Sequence, residues 1–556
     1  MSGPAPSDPR LTFARFLADA AQRHADRVAI VSTDAALTYA ELEARVGELA
    51  RALIGAGVVK GARVAVWMAN RPEWVVAAYA VGSVGGVLVP LNTFATASER
   101  DYILRHSDAS LLLMQPSLGV HRFLDDLLAD RPGIEGGLAG RLRVQALPQL
   151  RRVACLGLDA PRGGVETWDG LLAQGRDVPD ALLDAVRDEV EPCDDGLVIY
   201  TSGTTSQPKG VLHTQRAAVL QGHRFADMLR FTPDDRVYTT YPFFWTAGIA
   251  MSIGGAFAAG ARLLVQETFE AGAALEMIEC CRATAVHAWP HQQKALAEHP
   301  SAARRDLSSV VKIDSHSPIA VLAGIEKDAY GAGASYGLSE TFAICSALPA
   351  DAPAEQRHAC SGRHWPGMAL RIVDPHTGAP VGAGTPGEIA VKGVTLMRGY
   401  YKVAPEQVFD ADGYFHTQDG GSLDADGTLH WTGRLSNLIK TGGANVSPVE
   451  IQELLENHPG IKLGIPVGVE HPTLGEAVVL CAVAVEGATP DEAGVRAWLR
   501  ERLAAYKVPK RVLFFRADEL VYTGNQKVQI EPLRQAALRR LREERAEIQG
   551  HRFGTE

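Results

Sequence analysis

The stretch Tyr200–Gly210, YTSGTTSQPKG, concentrates more chemistry than its neighbours. An apolar strand candidate ends at Thr201. The loop after it carries four hydroxyl side chains (Ser202, Thr204, Thr205 and Ser206), the small residue Gly203, and a single cation, Lys209, before Gly210. Small residues let main-chain N–H groups approach a polyphosphate, hydroxyls add donors, and the ammonium supplies positive charge. The spacing is not that of the G-x-x-x-x-G-K-[ST] nucleotide loop, and the residue after the lysine is glycine. The alternative is a flexible surface loop. Lysine is scarce, 12 residues against 43 arginines, so a lysine inside such a loop is poor filler.

Other candidates are weaker alone. Glu340 in ASYGLSET would be a solvated charge. Asp419 in DGYFHTQDGG could serve an Asp/Gly turn between strands, and Lys527 in TGNQKV a solvent-exposed end. His358, Cys360 and His364 have spacing a metal could use, although SGRHWPG (361–367), which contains His364, resembles a known family's loop that holds no metal.

The elements that must position these residues can be read from pattern. At about 150 residues per domain, 556 residues imply three or four domain-sized units. Apolar residues make up 46% and charged residues 22%, which favours a large core over disorder. The net charge of −10 argues against nucleic acid as a partner, which would call for a basic excess. Residues 437–556 hold 16 basic and 16 acidic side chains, so the whole excess lies before them. Seven cysteines without a CxxC pair suggest reduced thiols and a cytoplasmic location. The N-terminus shows no secretory pattern. The apolar runs Trp74–Leu91 and Trp245–Ala261 are short and broken by glycine, which predicts buried helix-then-strand elements and no integral membrane association.

Residues 1–10 read as a disordered tail. Thr38 and Glu41 form a T-x-x-E capping box, and Leu42, Val46, Leu49, Leu53 and Ile54 repeat at helical spacing until Gly55 and Gly57. Arg63–Met68 and Val87–Leu91 read as buried strands, and 131–149 as a surface loop. Strand candidates Leu197–Thr201, Val237–Thr240, Arg262–Gln266, Ala285–Trp289 and Val310–Ile313 alternate with helical segments, which implies parallel βαβ units. Gly/Pro-rich turns over 368–432 suggest a small β-rich subdomain. The chain ends in a charged helix over Arg534–Ile548, with an apolar stripe of Ala537, Leu538, Leu541 and Ile548.

Nearly the whole chain resembles the adenylate-forming superfamily, in its acyl-CoA synthetase and acid–CoA ligase branch. The motifs that carry the resemblance occur in the family's order: LTYAEL (37–42), RVAVWMANRPEWVVAAYAVGSVGGVLVPLN (63–92), YTSGTTSQPKG, YPFFWTAG (241–248), ASYGLSET (334–341), GEIAVKG…LMRGYY (387–401), DGYFHTQDGG (412–421), GRLSNLIKTGGANVSP (433–448), YKVP (506–509) and TGNQKV (523–528). The resemblance implies an α/β fold. It has a large N-terminal domain (11–435) of two βαβ subdomains plus a small β-barrel, and a small mobile α+β C-terminal domain (436–556) hinged at Ser436.

It also implies residue roles. Thr201, Ser202, Gly203, Thr204, Thr205 and Lys209 would hold the β- and γ-phosphates of ATP. Tyr336 and Gly337 would meet the adenine, Ser339 the α-phosphate, and Glu340 would ligate Mg²⁺, a hard cation suited to carboxylate and phosphate oxygens. Asp419 would accept the ribose hydroxyls, with Arg434 near ribose and α-phosphate. Lys527 would bridge the attacking carboxylate and the α-phosphate, offsetting the repulsion of two anions. Trp245, Ile249, His287, Trp289, Ala334 and Cys345 are candidates for the acyl pocket.

Several positions depart from the family pattern. Trp245 stands where a histidine or aspartate is usual, so no carboxylate awaits a substrate ammonium. IDSHSP (313–318) replaces a glycine-rich turn, Ser436 replaces Asp or Lys, and Val521 and Gln526 replace proline and glycine near the mobile lysine. The expected activity is ATP-dependent activation of a fatty or aromatic acid, then transfer to coenzyme A. The alternatives are another acceptor (an amine or a carrier protein) or nitrite activation to diazotise an aryl amine. A homodimer is kept open as the oligomeric state.

Overall fold

The computed structural model of the chain describes residues 4–201, 208–435, 439–441, 444–503, 505–522 and 528–554. The fold is mixed α/β, with a large N-terminal part and a smaller C-terminal one. It divides into two compact units: residues 1–370 with 391–415 and 427–429, and residues 371–390 with 416–426 and 430–556. The β-rich segments 371–390 and 416–426 thus group with the C-terminal residues, and the expected boundary at 436 falls inside the second unit.

The first unit is built on two sheets. The larger runs in the order Gly399–Tyr400, Lys209–Thr214, Asp195–Thr201, Val87–Pro90, Arg63–Trp67, Leu111–Met114, Arg152–Cys155, Val165–Thr167. From Asp195–Thr201 to Val165–Thr167 neighbouring strands are parallel. The Lys209–Thr214 strand then doubles back antiparallel as a hairpin. The second sheet runs Ala285–His287, Arg236–Thr239, Arg262–Val265, Val28–Val31, Ala36–Thr38, parallel except for its last pair. Parallel strands need both faces covered, and Val64, Ala65, Val66, Leu112 and Leu113 are accordingly buried.

The capping box is present as read. Thr38 N donates to Glu41 Oε2 at 2.8 Å, and Glu41 N donates back to Thr38 Oγ1 at 3.2 Å. The helix Tyr39–Gly55 follows, burying Leu42, Val46, Leu49 and Leu53, and Gly57 leaves it at φ +84. The apolar run from Trp74 forms the buried helix Pro72–Ser83 and the strand Val87–Pro90. The run from Trp245 is a π-helix, Ala247–Gly254, continued as the α-helix Gly255–Ala259. It lies against the helix Gln215–Met228 so closely that a Cβ on Gly222 would sit 2.9 Å from the Gly254 Cα. Glycine at both positions permits that approach.

Other expectations differ: the segment 131–149, read as a surface loop, contains the helix Pro132–Glu135 and buries Ile134, Leu142, Val144 and Leu147. Val310–Ile313 is not a strand: Lys312 makes one isolated bridge with Ala285, while its Nζ pairs with Asp235 Oδ2 at 2.6 Å. Val311 is 58% exposed, so the run lacks the two buried faces a parallel strand requires. Residues 4–10 are placed as turns, in which Arg10 pairs with Asp8 at 2.7 Å.

In the second unit, Ala444–Val446, Ile439–Thr441, Gly475–Ala484 and Ile461–His471 form one sheet, with Arg511–Phe514 parallel to Gly475–Ala484. Helix Ile530–Glu543 packs on it through Leu533, Ala537 and Leu541. Ile548, expected at the end of that helix, lies in the short strand Glu547–Ile548. Among the described residues no helix is long and apolar enough to cross a membrane.

Thr38→Ala removes one reciprocal bond of the capping box. It should cost about 1 kcal/mol, read as reduced hydrogen-exchange protection confined to the first turn of the Tyr39–Gly55 helix.

Candidate functional site

Lys209 opens the return strand of the hairpin, directly opposite Thr201. Ser202, Gly203, Thr204 and Thr205 lie outside the described residues. The Lys209 ammonium sits 4.9 Å from the centroid of the Tyr400 ring, a cation–π distance. The Tyr400 hydroxyl donates to Glu340 Oε1 at 2.6 Å. One aromatic side chain thus joins a cation and a carboxylate.

Three segments set this arrangement. Gly399–Tyr400 pairs antiparallel with Leu212 and Val211, and Tyr401 N donates to the Gly210 carbonyl at 2.7 Å. Glu340 occupies a single 3₁₀ turn, Ser339–Thr341. Its carbonyl accepts from Met397 N at 2.7 Å, so main chain and side chain of Glu340 are both tied to the segment around Tyr400. The Tyr400 partnership was legible only as part of the RGYY motif, with no role assigned.

Tyr336 and Gly337 precede that turn. Tyr336 is buried, 5% exposed, and pairs with Ser346. A Cβ on Gly337 would fall 2.1 Å from the Ala343 carbonyl oxygen, so the chain doubles back where only glycine fits. Phe342 and Ala343 hold φ +54 and +83, a strained combination for side-chain-bearing residues. The buried Gln221 stabilises it: the two N–H groups of its Nε2 are shared among the carbonyls of Thr341 (3.1 Å), Phe342 (2.8 Å) and Ile344 (2.5 Å). His213 donates Nε2–H to the Ser339 carbonyl at 2.7 Å. Burial pushes its pKa down to about 4, only partly opposed by that bond, so the imidazole is neutral. Gln221 and His213 were not read from sequence: each is a buried polar residue whose task only its partners reveal.

Four of the acyl-pocket candidates gather. Trp245 and Trp289 meet edge to face at 6.3 Å, and Tyr241 bridges Trp289 (4.5 Å) to His287, on which it stacks at 5.6 Å. Ile249 follows Trp245 by one turn, its N–H on the Trp245 carbonyl. His287 lies 3.2 Å from Ser252 Oγ, itself 2.8 Å from Thr239 Oγ1. Burial pushes the His287 pKa down to about 4. Ala334 and Cys345 are buried on either side of the Tyr336 pairing; Leu348 N donates to the Ala334 carbonyl and Cys345 N to that of Tyr336.

In the second unit, Asp419 is 4% exposed on the strand Phe415–Leu423. Arg434 Nε lies 2.9 Å from Asp419 Oδ1, and its Nη1 donates to the Thr417 carbonyl at 3.2 Å. Asp419 N donates to Thr417 Oγ1 at 3.1 Å. The carboxylate and guanidinium are thereby oriented together. Lys527, Gln526 and the hinge candidate Ser436 lie outside the described residues; Val521 is described and half exposed.

Comparison with known proteins adds an independent finding. The AMP-binding enzyme family matches residues 17–401, and the AMP-binding enzyme C-terminal domain matches residues 450–527. The chain is 34% identical over 496 residues to a 3-[(3aS,4S,7aS)-7a-methyl-1,5-dioxo-octahydro-1H-inden-4-yl]propanoyl:CoA ligase of Mycobacterium tuberculosis, covering 88% of this chain and 92% of the relative. It is 33% identical over 512 residues to an indoleacetate–CoA ligase of Aromatoleum aromaticum, covering 91% and 94%. Among solved structures, ATP-bound MatB from Rhodopseudomonas palustris superposes with a TM-score of 0.73 at 27% identity, covering 94% of this chain and 98% of that one.

Two of the buried histidines, His213 and His287, give the fold a pH dependence. Each is neutral when folded, with a pKa of about 4, while an unfolded imidazole titrates near 6.5. The unfolded state therefore binds more protons between these values, so stability falls as pH drops through that window, by up to about 3 kcal/mol per group. Melting temperatures recorded from pH 7 to 4 should fall, and His287→Gln should flatten the slope.

Proposed function

The chain belongs to the AMP-binding enzyme family, and on that premise we propose that it is an AMP-forming acid–thiol ligase that activates a hydrophobic carboxylic acid and passes the acyl group to coenzyme A. The observation that carries the reading is the Lys209–Tyr400–Glu340 group beside the end of the Asp195–Thr201 strand. It offers a positive charge for phosphate oxygens and, 2.6 Å beyond the Tyr400 hydroxyl, a carboxylate able to hold Mg²⁺. Glu340 and the phosphates of bound ATP would share that ion, which when bound neutralises the charge building on the leaving pyrophosphate.

In the first step the acid carboxylate attacks the α-phosphorus. A new C–O–P linkage forms, the α–β phosphoanhydride bond breaks, and pyrophosphate leaves. Lys209 offsets charge on the phosphate side. Tyr336, Gly337 and Ser339 would border the adenine and α-phosphate, and Asp419 with Arg434 would fix the ribose. Lys527 would bring the two anionic reactants together. In the second step the coenzyme A sulfur attacks the acyl carbon, its proton passing to solvent, and AMP departs; Lys527 takes no part in this step. An anhydride is open to thiol attack where a free carboxylate is not, which is why two steps serve better than one.

The acid is assigned by the walls that would meet it. Trp245, Trp289, Tyr241 and neutral His287 form an aromatic cluster without a carboxylate, which fits an aryl or fatty chain and disfavours an amino acid. The ligase names of the two relatives support the same acceptor and reaction class.

An acid panel scored by pyrophosphate release should select aromatic or fatty acids, and the thioester should require added coenzyme A. Product formed only with an amine would replace that acceptor, and pyrophosphate release driven by nitrite would replace the acid. Lys527→Ala should reduce adenylation by about 10²-fold or more while leaving thioester formation from supplied acyl adenylate largely intact. Chelating Mg²⁺ with excess EDTA should abolish pyrophosphate release, and adding Mg²⁺ back should restore it.

A further inference from the structure

Outside the residues proposed to hold the nucleotide, three segments of the first unit bring together side chains of a different kind. His316, Asp328 and His358 each place a donor atom within 4.8 Å of the other two. His316 comes from the IDSHSP turn, Asp328 from the loop after Gly324, and His358 from the short helix Ala354–Ala359. His358 Nε2 lies 2.6 Å from Asp328 Oδ2, and the two imidazole rings meet edge to face at 5.3 Å.

The supporting residues are more ordered than a chance surface cluster requires. Asp314 Oδ1 accepts the His316 main-chain N–H at 2.9 Å and lies 3.1 Å from its Nδ1. A proton held on Nδ1 leaves the lone pair on Nε2, the carboxylate–histidine arrangement that orients imidazole toward a metal. Arg357, 3% exposed, donates to Asp328 Oδ1 at 2.5 Å and to the Asp328 carbonyl at 3.0 Å, so Oδ2 is turned to His358. A Cβ on Gly331 would lie 2.4 Å from Arg357 Nη1 and 2.6 Å from Asp314 Oδ2, so the supporting charges are packed against main chain. Two carboxylates against one guanidinium leave a net negative charge beside two imidazoles.

We propose that His316, Asp328 and His358 form a binding site for a divalent transition-metal ion of the zinc class, held by two imidazole nitrogens and one carboxylate oxygen. The donor set suits that class better than Mg²⁺ or Ca²⁺, which take oxygen ligands. The spacing the sequence suggested was His358, Cys360 and His364. The fold instead turns Cys360 Sγ to the Gln356 carbonyl and supplies His316 and Asp328 from elsewhere. Ligands around a tetrahedral ion stand about 3.3 Å apart, so the His358–Asp328 pair opens slightly on binding. The proton in that hydrogen bond moves to His358 Nδ1, or to solvent from an imidazolium. A bound ion ties the 314–316 turn, the 328 loop and the 354–359 helix, and so braces the chain that enters Ser335–Tyr336; its binding free energy adds to folding.

The test uses the full chain, stripped with a chelator and titrated with Zn²⁺ alone by calorimetry, and with Co²⁺ as a coloured probe. One equivalent should bind and raise the melting temperature, with cobalt d–d bands and no thiolate charge-transfer band. His316→Ala and His358→Ala should each weaken Zn²⁺ binding at least tenfold, and Asp314→Asn by about 10–100-fold, while His364→Ala changes nothing. His316 is exposed, so its variant reports on binding even if loss of the His358–Asp328 bond unfolds the other. Absence of binding, a thiolate band, or unchanged affinity in His316→Ala overturns the proposal.

Discussion

The hydrogen bond from Tyr400 to Glu340 is the interaction on which the proposed nucleotide side of the first unit depends. Its partners lie 60 residues apart, one on an edge strand of the larger sheet and the other on a single 3₁₀ turn. Tyr400 reaches the site because a two-residue strand is added to the edge of the hairpin that carries Lys209. Glu340 reaches it because the chain reverses at Gly337 and is held by Gln221 and His213, two buried polar residues whose partners are main-chain carbonyls. If any of these segments shifts, cation and carboxylate lose their common reference. The strain at Phe342 and Ala343 is the local cost of presenting Glu340 on a single turn, and the three carbonyl bonds of Gln221 offset it.

Charge explains why so few groups carry so much. With a net charge of −10 and a balanced C-terminal segment, the body of the protein repels polyphosphate at long range. Binding must then come from short-range donors: main-chain N–H groups, hydroxyls, single cations and the ion that Glu340 can hold. The same logic applies in the second unit, where Arg434 and Asp419 orient one another at 2.9 Å. A basic surface would attract anions without choosing among them; isolated, oriented charges select by geometry.

The elements, and the motifs from which the nucleotide residues are proposed, were largely legible because they follow local rules. The Thr38–Glu41 box, the Leu42–Leu53 spacing and the apolar strands are set by neighbours in sequence, and the motifs around Lys209, Glu340 and Asp419 are contiguous. What escaped was non-local. Val310–Ile313 has the composition of a strand, but Lys312 is claimed by Asp235, and the run never gains a second buried face. The grouping of 371–390 and 416–426 with the C-terminal part depends on packing between distant segments. Gln221 and His213 look like misplaced polar residues until the strained turn they stabilise is seen. The His316–Asp328–His358 cluster spans 42 residues and no spacing rule announces it.

The proposed acyl side raises the question of how finely an aromatic cluster can choose. Apolar walls discriminate by volume, at about 0.8 kcal/mol per methylene, so neighbouring homologues differ by only a few-fold to about a hundredfold. Sharper selection needs a buried polar group left unsatisfied by the wrong substrate. Thr239, Ser252 and His287 form the polar chain in the described wall, and much of its capacity is consumed internally, since Ser252 already bridges the other two. His287 is also neutral, so it cannot attract a second carboxylate by charge. A cluster so arranged reads ring and chain shape first and substituent polarity second, which fits an enzyme that accepts a set of related hydrophobic acids rather than a single one.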